Sequence, residues 1–383
     1  MGDVIREVTA VNHFQMFFDK LYSLYSRSPK NKIQLSECAT DVDEQLRKIG
    51  RIFGVRWVAS SFRTVSAVWD NFQALCCHFE RASQDDQRDG KERSMFLGLL
   101  NRIRSPEFLI DLGVMYDALY ELSSLSELLQ NRSTSLVQAD KYMRRTIRVL
   151  QSMKEKSGTH SLEAKSAAIQ LKFKTIKLAA NKKLVTINEK QFLTSLINNM
   201  SFRLFCTRSS NEKQKADPTS RNAYADLLKQ FSVLDKETWP VELNPGYGED
   251  EVKDMCKRFE LPQAQIINAF RDFVDNIGRR EPADLKPLVN CTQVIPCSTA
   301  ECERGFSHMN IIVSDTRSNL TIPHVSSLMF IKLHGPPISM WRPMFYAQTW
   351  LRNHRSATDT KTRIVPLNSV LAEADSNPLW KLF

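Results

Sequence analysis

Apolar residues recur at intervals of three and four positions through most of this 383-residue chain. The strongest run contains Leu109, Leu112, Met115, Leu119, Leu122, Leu125 and Leu129. Because an α-helix turns once in about 3.6 residues, this spacing lines one face of a helix with apolar side chains. Alternating runs of β-branched residues are scarce, so the sequence predicts a mainly α fold.

The first 35 residues follow the same period, with Val8, Val11, Phe14, Phe17, Phe18, Leu21 and Tyr25 on one helical face. Ser28-Pro29 ends this predicted helix, because proline disfavours its continuation. A chain that opens directly into a helix of core type suggests a truncated domain. Residues 83 to 95 are polar with one glycine and predict a solvated loop.

The chain carries a formal net charge of +10, which favours an anionic partner such as DNA, RNA or a phosphorylated surface. The same charge over this length is also compatible with solubility alone. The most basic stretch, from Lys154 to Lys183, predicts a basic amphipathic helix. Its candidate phosphate contacts are Lys172, Lys174, Lys177, Lys182 and Lys183, and the alternative is an ordinary solvated helix face.

Eight cysteines are scattered along the chain without a C-x-x-C pair or a Cys–His set of zinc-finger spacing. With no signal peptide, this pattern fits free thiols in a reducing nucleus or cytoplasm. We expect no metal and no cofactor. We also expect no membrane partner, because no apolar run approaches the roughly 20 residues of a membrane span.

The segment from Pro296 to Leu333 combines several features in a fixed order. It reads Pro296-Cys297-Ser298-Thr299-Ala300-Glu301-Cys302-Glu303-Arg304-Gly305-Phe306-Ser307, followed by an apolar helix, the basic turn Arg317-Ser318-Asn319-Leu320 and a second apolar helix. This order is similar to the C-terminal dimerisation region of hAT-family DNA transposases, where a small-residue turn leads into Glu-Arg-x-Phe-Ser.

A second resemblance lies near the start of the chain, where Arg56-Trp57 is followed by Ser60-Ser61. In hAT proteins an Arg-Trp pair followed by small hydroxyl residues opens the helix after the second catalytic carboxylate. The resemblance implies that Arg56 and Trp57 lie near DNA. The alternative is that Trp57 is a core aromatic, as most aromatics at helical spacing are.

The resemblance implies a small α/β part, consisting of remnants of an RNase H-like domain around a helical insertion. Family transposases hold two divalent metals with three carboxylates. Glu303 corresponds to the third carboxylate, but the first two have no recognisable counterparts upstream of Arg56. We therefore expect Glu303 to be a structural relic and the chain to be catalytically inactive.

The resemblance also implies a homodimer, formed through two consecutive helices. The predicted dimerisation residues are Phe306, Met309, Ile312, Leu328, Met329, Ile331 and Leu333. The alternative is that they only close the chain's own core. Arg304 and Arg317 complete the DNA-contact candidates of this region.

Two enzyme alternatives remain. The chain is similar to a vertebrate hAT-derived protein described as a SUMO ligase, and Ile311-Ile312-Val313-Ser314-Asp315 resembles a SUMO-interacting motif. Such activity would reside in segments N-terminal to this chain. A nuclease completed by missing upstream carboxylates is the other alternative.

These observations predict four regions. Residues 1–82 form a truncated RNase H-like remnant, 83–286 a helical insertion, 287–350 the dimerisation region and 351–383 a tail. The predicted location is nuclear, or else cytoplasmic.

Overall fold

The computed structural model describes residues 9–51, 57–181, 186–205, 218–275, 281–317 and 319–353. These residues are mainly helical, which confirms the predicted fold class at that level. The strand pairing that they contain is one short antiparallel hairpin. The chain divides into two compact units, residues 1–298 and residues 299–383.

The helices of the first unit are α1 (Thr9–Arg27), α2 (Pro29–Asp41), α3 (Trp57–Asp70), α4 (Phe72–Gln84), α5 (Gly90–Ile103), α6 (Pro106–Gln130), α7 (Leu136–Glu155), α8 (Thr159–Gln170), α9 (Glu189–Phe205), α10 (Pro218–Ser232), α11 (Glu249–Arg258), α12 (Gln263–Val274) and α13 (Lys286–Val294). The hairpin, β1 (Lys172–Phe173) and β2 (Ile176–Lys177), follows α8. Short 3-10 helices lie at Lys236–Thr238 and Ala283–Leu285.

The predicted end of the first helix is confirmed, since α1 ends at Arg27 and Pro29 begins α2. The side-chain oxygen of Ser28 accepts a hydrogen bond from the backbone N–H of Asn31 at 3.3 Å. This bond satisfies an N–H group that has no partner within its own helix.

Helix α6 lies in the larger core and packs against α3 and α8. Its predicted apolar stripe is buried from Leu109 to Leu125. A Cβ added at Gly113 would lie 2.6 Å from the carbonyl oxygen of His160, so the two helices approach closely here. The Asp117 carboxylate accepts a hydrogen bond from the N–H of Ser161 at 2.9 Å. A side chain of α6 therefore caps the start of α8.

The basic stretch from Lys154 to Lys183 is not the single helix that the sequence predicts. Leu171 and Lys174 adopt positive φ angles of 50° and 51°, which end α8 and reverse the chain into the hairpin. Phe173 is buried, with its ring centroid 5.0 Å from that of Trp69. A continuous amphipathic helix is therefore broken where the chain turns Phe173 into the core.

The prediction of a solvated loop over residues 83–95 is also wrong in part. Only 85–89 lie outside helices, and the Arg88 side chain is 3% exposed. Its guanidinium donates hydrogen bonds to Asn31 Oδ1 at 2.7 Å, to Gln34 Oε1 at 2.5 Å and to Asp85 Oδ2 at 3.2 Å. The charge can be buried because these oxygens replace its water.

A second apolar core lies at the C-terminal end of the first unit. Its fully buried members are Val252, Met255, Phe270, Leu285 and Leu288, and Val137 at the start of α7 joins them. Helices α10 to α13 thus share one interior.

The predicted region boundaries fall after residues 82, 286 and 350, whereas the two units meet after residue 298. The larger core contains side chains from both sides of the first predicted boundary. The rings of Phe17 and Phe108, for example, lie 4.8 Å apart between centroids.

The second unit contains α14 (Ala300–Ile312), α15 (Ile322–His334) and α16 (Pro343–Asn353). Short 3-10 helices at Asp315–Arg317 and Ile338–Met340 connect them. Helices α14 and α15 pack against each other. The rings of Trp341 and Tyr346 stack with centroids 4.2 Å apart.

Candidate self-association surface

Helix α14 begins with acidic residues, Glu301 and Glu303, in its first turn. Negative charge is favourable there because it faces the positive end of the helix dipole. The backbone N–H of Glu303 donates to the Thr299 carbonyl at 3.0 Å, and its side chain is exposed. Arg304 forms an ion pair with Glu301, one turn earlier.

Helix α15 has clear start and stop signals. Pro323 lies in its first turn, where a missing N–H has no cost. Lys332 and His334 occupy the last turn, and the Gly335 N–H donates to the Ile331 carbonyl at 2.8 Å. Local sequence therefore defines this helix well.

Apolar side chains lie on several faces of α15. Residues Leu328 to Ile331 are four consecutive apolar positions, and successive positions on a helix point about 100° apart. Apolar side chains on a helix normally face an interior. None of the 13 residues of α15 is buried.

Helix α14 adds further exposed apolar side chains. Phe306 is 59% exposed and Ile311 is 66% exposed. Gly305 faces α15 of the same chain, since a Cβ added there would lie 3.8 Å from Cε of Met329. We name the exposed apolar residues of α14 and α15 the assembly surface: Phe306, Ile311, Ile322, Phe330, Ile331 and Leu333. Exposed apolar side chains on two packed helices make these residues a candidate interaction site.

The predicted dimerisation residues divide into three groups. Phe306, Ile331 and Leu333 are exposed. Met309, Leu328 and Met329 are half-buried, and Ile312 is buried in the chain's own interior. Ile312 is therefore not accessible to a partner in this structure.

Sequence reasoning missed Ile311, Ile322 and Phe330, which are all exposed. Ile322 is the first residue of α15 and is 82% exposed. Because α15 has apolar side chains on several faces, spacing alone does not tell which of them face α14. The one available signal was the apolar run itself.

The candidate DNA contacts lie in several places. Arg56, Lys182 and Lys183 lie outside the described residues, and Trp57 begins α3 without a described side chain. Arg317 is exposed in its 3-10 helix.

Lys174 has an intramolecular role. Its ammonium group lies 2.7 Å from Glu44 Oε1 and donates to the Asp70 carbonyl at 2.9 Å. The Glu44 side chain is only 10% exposed. Lys174 therefore links the hairpin to Glu44 and to the end of α3.

Lys172 and Lys177 are opposite each other in the hairpin register, and both are exposed. Their strand neighbours Phe173 and Ile176 point to the other face, so the two lysines share the outer face. Like charges directly opposite each other are destabilising. Among the described residues, neither ammonium group has an acidic partner. This pair is a concentrated positive site.

Ile311 and Ile312 belong to α14, and the Val313 N–H donates to the Met309 carbonyl at 2.8 Å. A SUMO-interacting motif adds an extended strand to its partner. The segment would have to leave the helix to do so.

Within the ranges that the structure covers, no group of three or more His, Cys, Asp or Glu residues is placed to hold a metal ion. No helix in that part of the chain has the length and apolar character needed to cross a membrane. No protein-family model matches the sequence, and no solved structure matches it.

Proposed function

We propose that this protein is a hAT-transposase-derived nuclear protein that acts as a homodimer, assembled through the assembly surface. The observation that carries the proposal is α15, which has apolar side chains on several faces and no buried residue. Burial of apolar surface drives most protein association. Two copies related by a twofold axis would bury the same residues on each side.

Light scattering coupled to size exclusion tests the proposal. The chain has a mass of 44.1 kDa, so the wild type should elute with about twice that mass. Phe306→Asp combined with Phe330→Asp should give a folded monomer, because each change places a charge at an exposed apolar position. Asn319→Asp adds the same charge in the exposed turn between α14 and α15 and should remain dimeric.

A wild type that is monomeric across concentrations would overturn the proposal. So would a double variant that keeps both its helical circular dichroism and its dimeric mass.

The proposal assigns no transposase catalysis to the chain. Glu303 is exposed at a helix start, and the relation to an RNase H-like domain rests only on the sequence resemblance around Arg56. The nuclease alternative requires two further carboxylates, and the SUMO alternative requires Ile311 to Asp315 in an extended form. The assembly surface supports neither.

Contact with nucleic-acid phosphates is a second candidate function, favoured by Lys172 and Lys177 on one face of the hairpin. Each lysine that neutralises a phosphate releases a counterion, so binding weakens with salt. Fluorescence anisotropy with a DNA duplex gives the slope of log binding constant against log salt concentration. The magnitude of this slope should be smaller by about 1–2 in Lys172→Gln combined with Lys177→Gln. Lys190→Gln, at an exposed position of α9, is the matched control. An unchanged slope in the double variant would contradict this function.

A further inference from the structure

Two aromatic rings in the first unit, those of Trp239 and Phe273, lie beside the ammonium group of Lys236, and the Tyr247 ring packs against Trp239. The Trp239 ring lies 6.0 Å from that of Tyr247 and 5.5 Å from that of Phe273, measured between centroids. The planes cross at 67° and 90°, so both neighbours stand edge-on to the indole. Nζ of Lys236 lies 4.4 Å from the Phe273 centroid and 5.7 Å from the Trp239 centroid. Both distances are within the roughly 6 Å of a cation–π contact.

The fold holds these rings in place. The Trp239 Nε1–H donates to the Val233 carbonyl at 2.9 Å, which fixes the orientation of the indole. Gly248, with φ of 74°, lets the chain pass close to the core beside Tyr247. A Cβ at Gly248 would lie 2.7 Å from the Phe270 ring.

The rings also remain accessible. Trp239, Tyr247 and Phe273 are each half-buried, and Lys236 is exposed. Burial, followed by the nearby Glu251 carboxylate, raises the pKa of Tyr247. The Glu251 carboxylate is itself paired with Lys229 Nζ at 2.9 Å.

We propose that Trp239, Tyr247 and Phe273 form a binding site for a trimethylammonium group, and that Lys236 occupies this site in the free protein as an internal ligand. A quaternary ammonium has no N–H to donate, so aromatic faces are its natural partners. A primary ammonium such as Lys236 loses more hydration in the same place. An external methylated cation therefore competes with Lys236.

Tetramethylammonium chloride is the probe, titrated at constant ionic strength into protein labelled with ¹⁵N at the indole nitrogens. Trp239 is one of six tryptophans, and Trp239→Phe assigns its indole signal. We expect a saturable shift of that signal in the wild type and at least tenfold tighter binding in Lys236→Ala. Lys257→Ala removes an exposed lysine elsewhere in the same unit and should match the wild type.

Choline and a trimethyl-lysine peptide distinguish the two sources of this group. If the trimethyl-lysine peptide binds more tightly than both choline and the unmethylated peptide, the site is assigned to a protein partner. If the peptide and choline bind equally, it is assigned to a small molecule. Absence of a saturable shift in Lys236→Ala, with the Trp239 indole signal still at its folded position, overturns the proposal. The rings belong to the first unit and the assembly surface to the second, so this titration and the mass measurement test different residues.

Discussion

The hydroxyl oxygen of Tyr25 lies 2.8 Å from Nδ1 of His78, joining α1 to α4 across 53 residues. Both side chains are buried, and Nε2 of His78 has no hydrogen-bond partner among the described residues. Burial, and then the positive charge of Arg88, lower the pKa of His78 to about 4. The fold therefore holds this imidazole neutral at pH 7.

Acid should destabilise the fold through His78. The unfolded chain binds this proton near its ordinary pKa of 6.5, and the folded chain binds it only near 4. Stability is lost as the pH falls through this window, by about 3 kcal/mol in total. Urea unfolding gives the free energy of unfolding at pH 7 and at pH 4. Its decrease between the two should be smaller in His78→Gln than in the wild type, and unchanged in His334→Gln, whose position is exposed. Equal losses in all three proteins would contradict the prediction.

Asp111 should have the opposite effect. Burial raises the pKa of Asp111 to about 7. The hydrogen bond from the Ile187 N–H at 2.9 Å and the charge of Arg102 lower this pKa but do not offset the burial. The folded chain keeps this proton between pH 3.8 and about 7, so its stabilising contribution is lost as the pH rises. Asp111→Asn retains an acceptor without the charge and should be more stable than the wild type at pH 8, by about 4 kcal/mol. Thermal unfolding at pH 8 measures this difference, and a less stable variant would refute it.

Two glycines in helix interiors should respond oppositely to alanine. A Cβ at Gly113 meets the His160 backbone at 2.6 Å, and backbone atoms cannot move aside without cost. Gly113→Ala should lose about 1–3 kcal/mol of stability. Gly98 in α5 has nothing within 4 Å of an added Cβ, so Gly98→Ala should gain about 0.5–1 kcal/mol. Chemical denaturation of both variants measures these changes, and equal effects would show that α6 and α8 do not approach as described.

The buried guanidinium of Arg88 should be one of the most sensitive polar groups. Arg88→Met leaves the oxygens of Asn31, Gln34 and Asp85 without this donor and should cost about 3–5 kcal/mol. Arg93 pairs with Asp86 at the surface, so Arg93→Met should cost less than about 1 kcal/mol. Urea unfolding of the two variants gives the comparison. Similar losses would mean that Arg88 is hydrated rather than buried.

Helix positions could be predicted from the sequence where apolar spacing and end signals agree. The end of α1 at Arg27 and the stripe of α6 are examples, because both depend on residues within a few turns. The hairpin at Lys172–Lys177 was missed for the same reason. Its spacing fits a helix, and the turn is favoured by contacts with residues far away in sequence, such as that of Phe173 with Trp69 and that of Lys174 with Glu44.

The assembly surface could likewise be predicted only in part from the sequence. The apolar run of α15 predicted an interface, and three of the predicted residues, Phe306, Ile331 and Leu333, are exposed, while dimerisation itself stays a prediction. The burial of Ile312 could not be predicted, because it depends on which face of α14 meets other parts of the fold.

The sequence by itself determined that this chain is mainly helical and which segments carry apolar faces, since both follow from periodicity along the chain. Only the tertiary structure decided which apolar faces stay exposed, that Arg88 is buried, and that Tyr247 and Phe273 pack against Trp239 beside Lys236. The physical reason is that burial depends on contacts between segments far apart in sequence. The spacing of apolar residues along one segment does not specify those contacts.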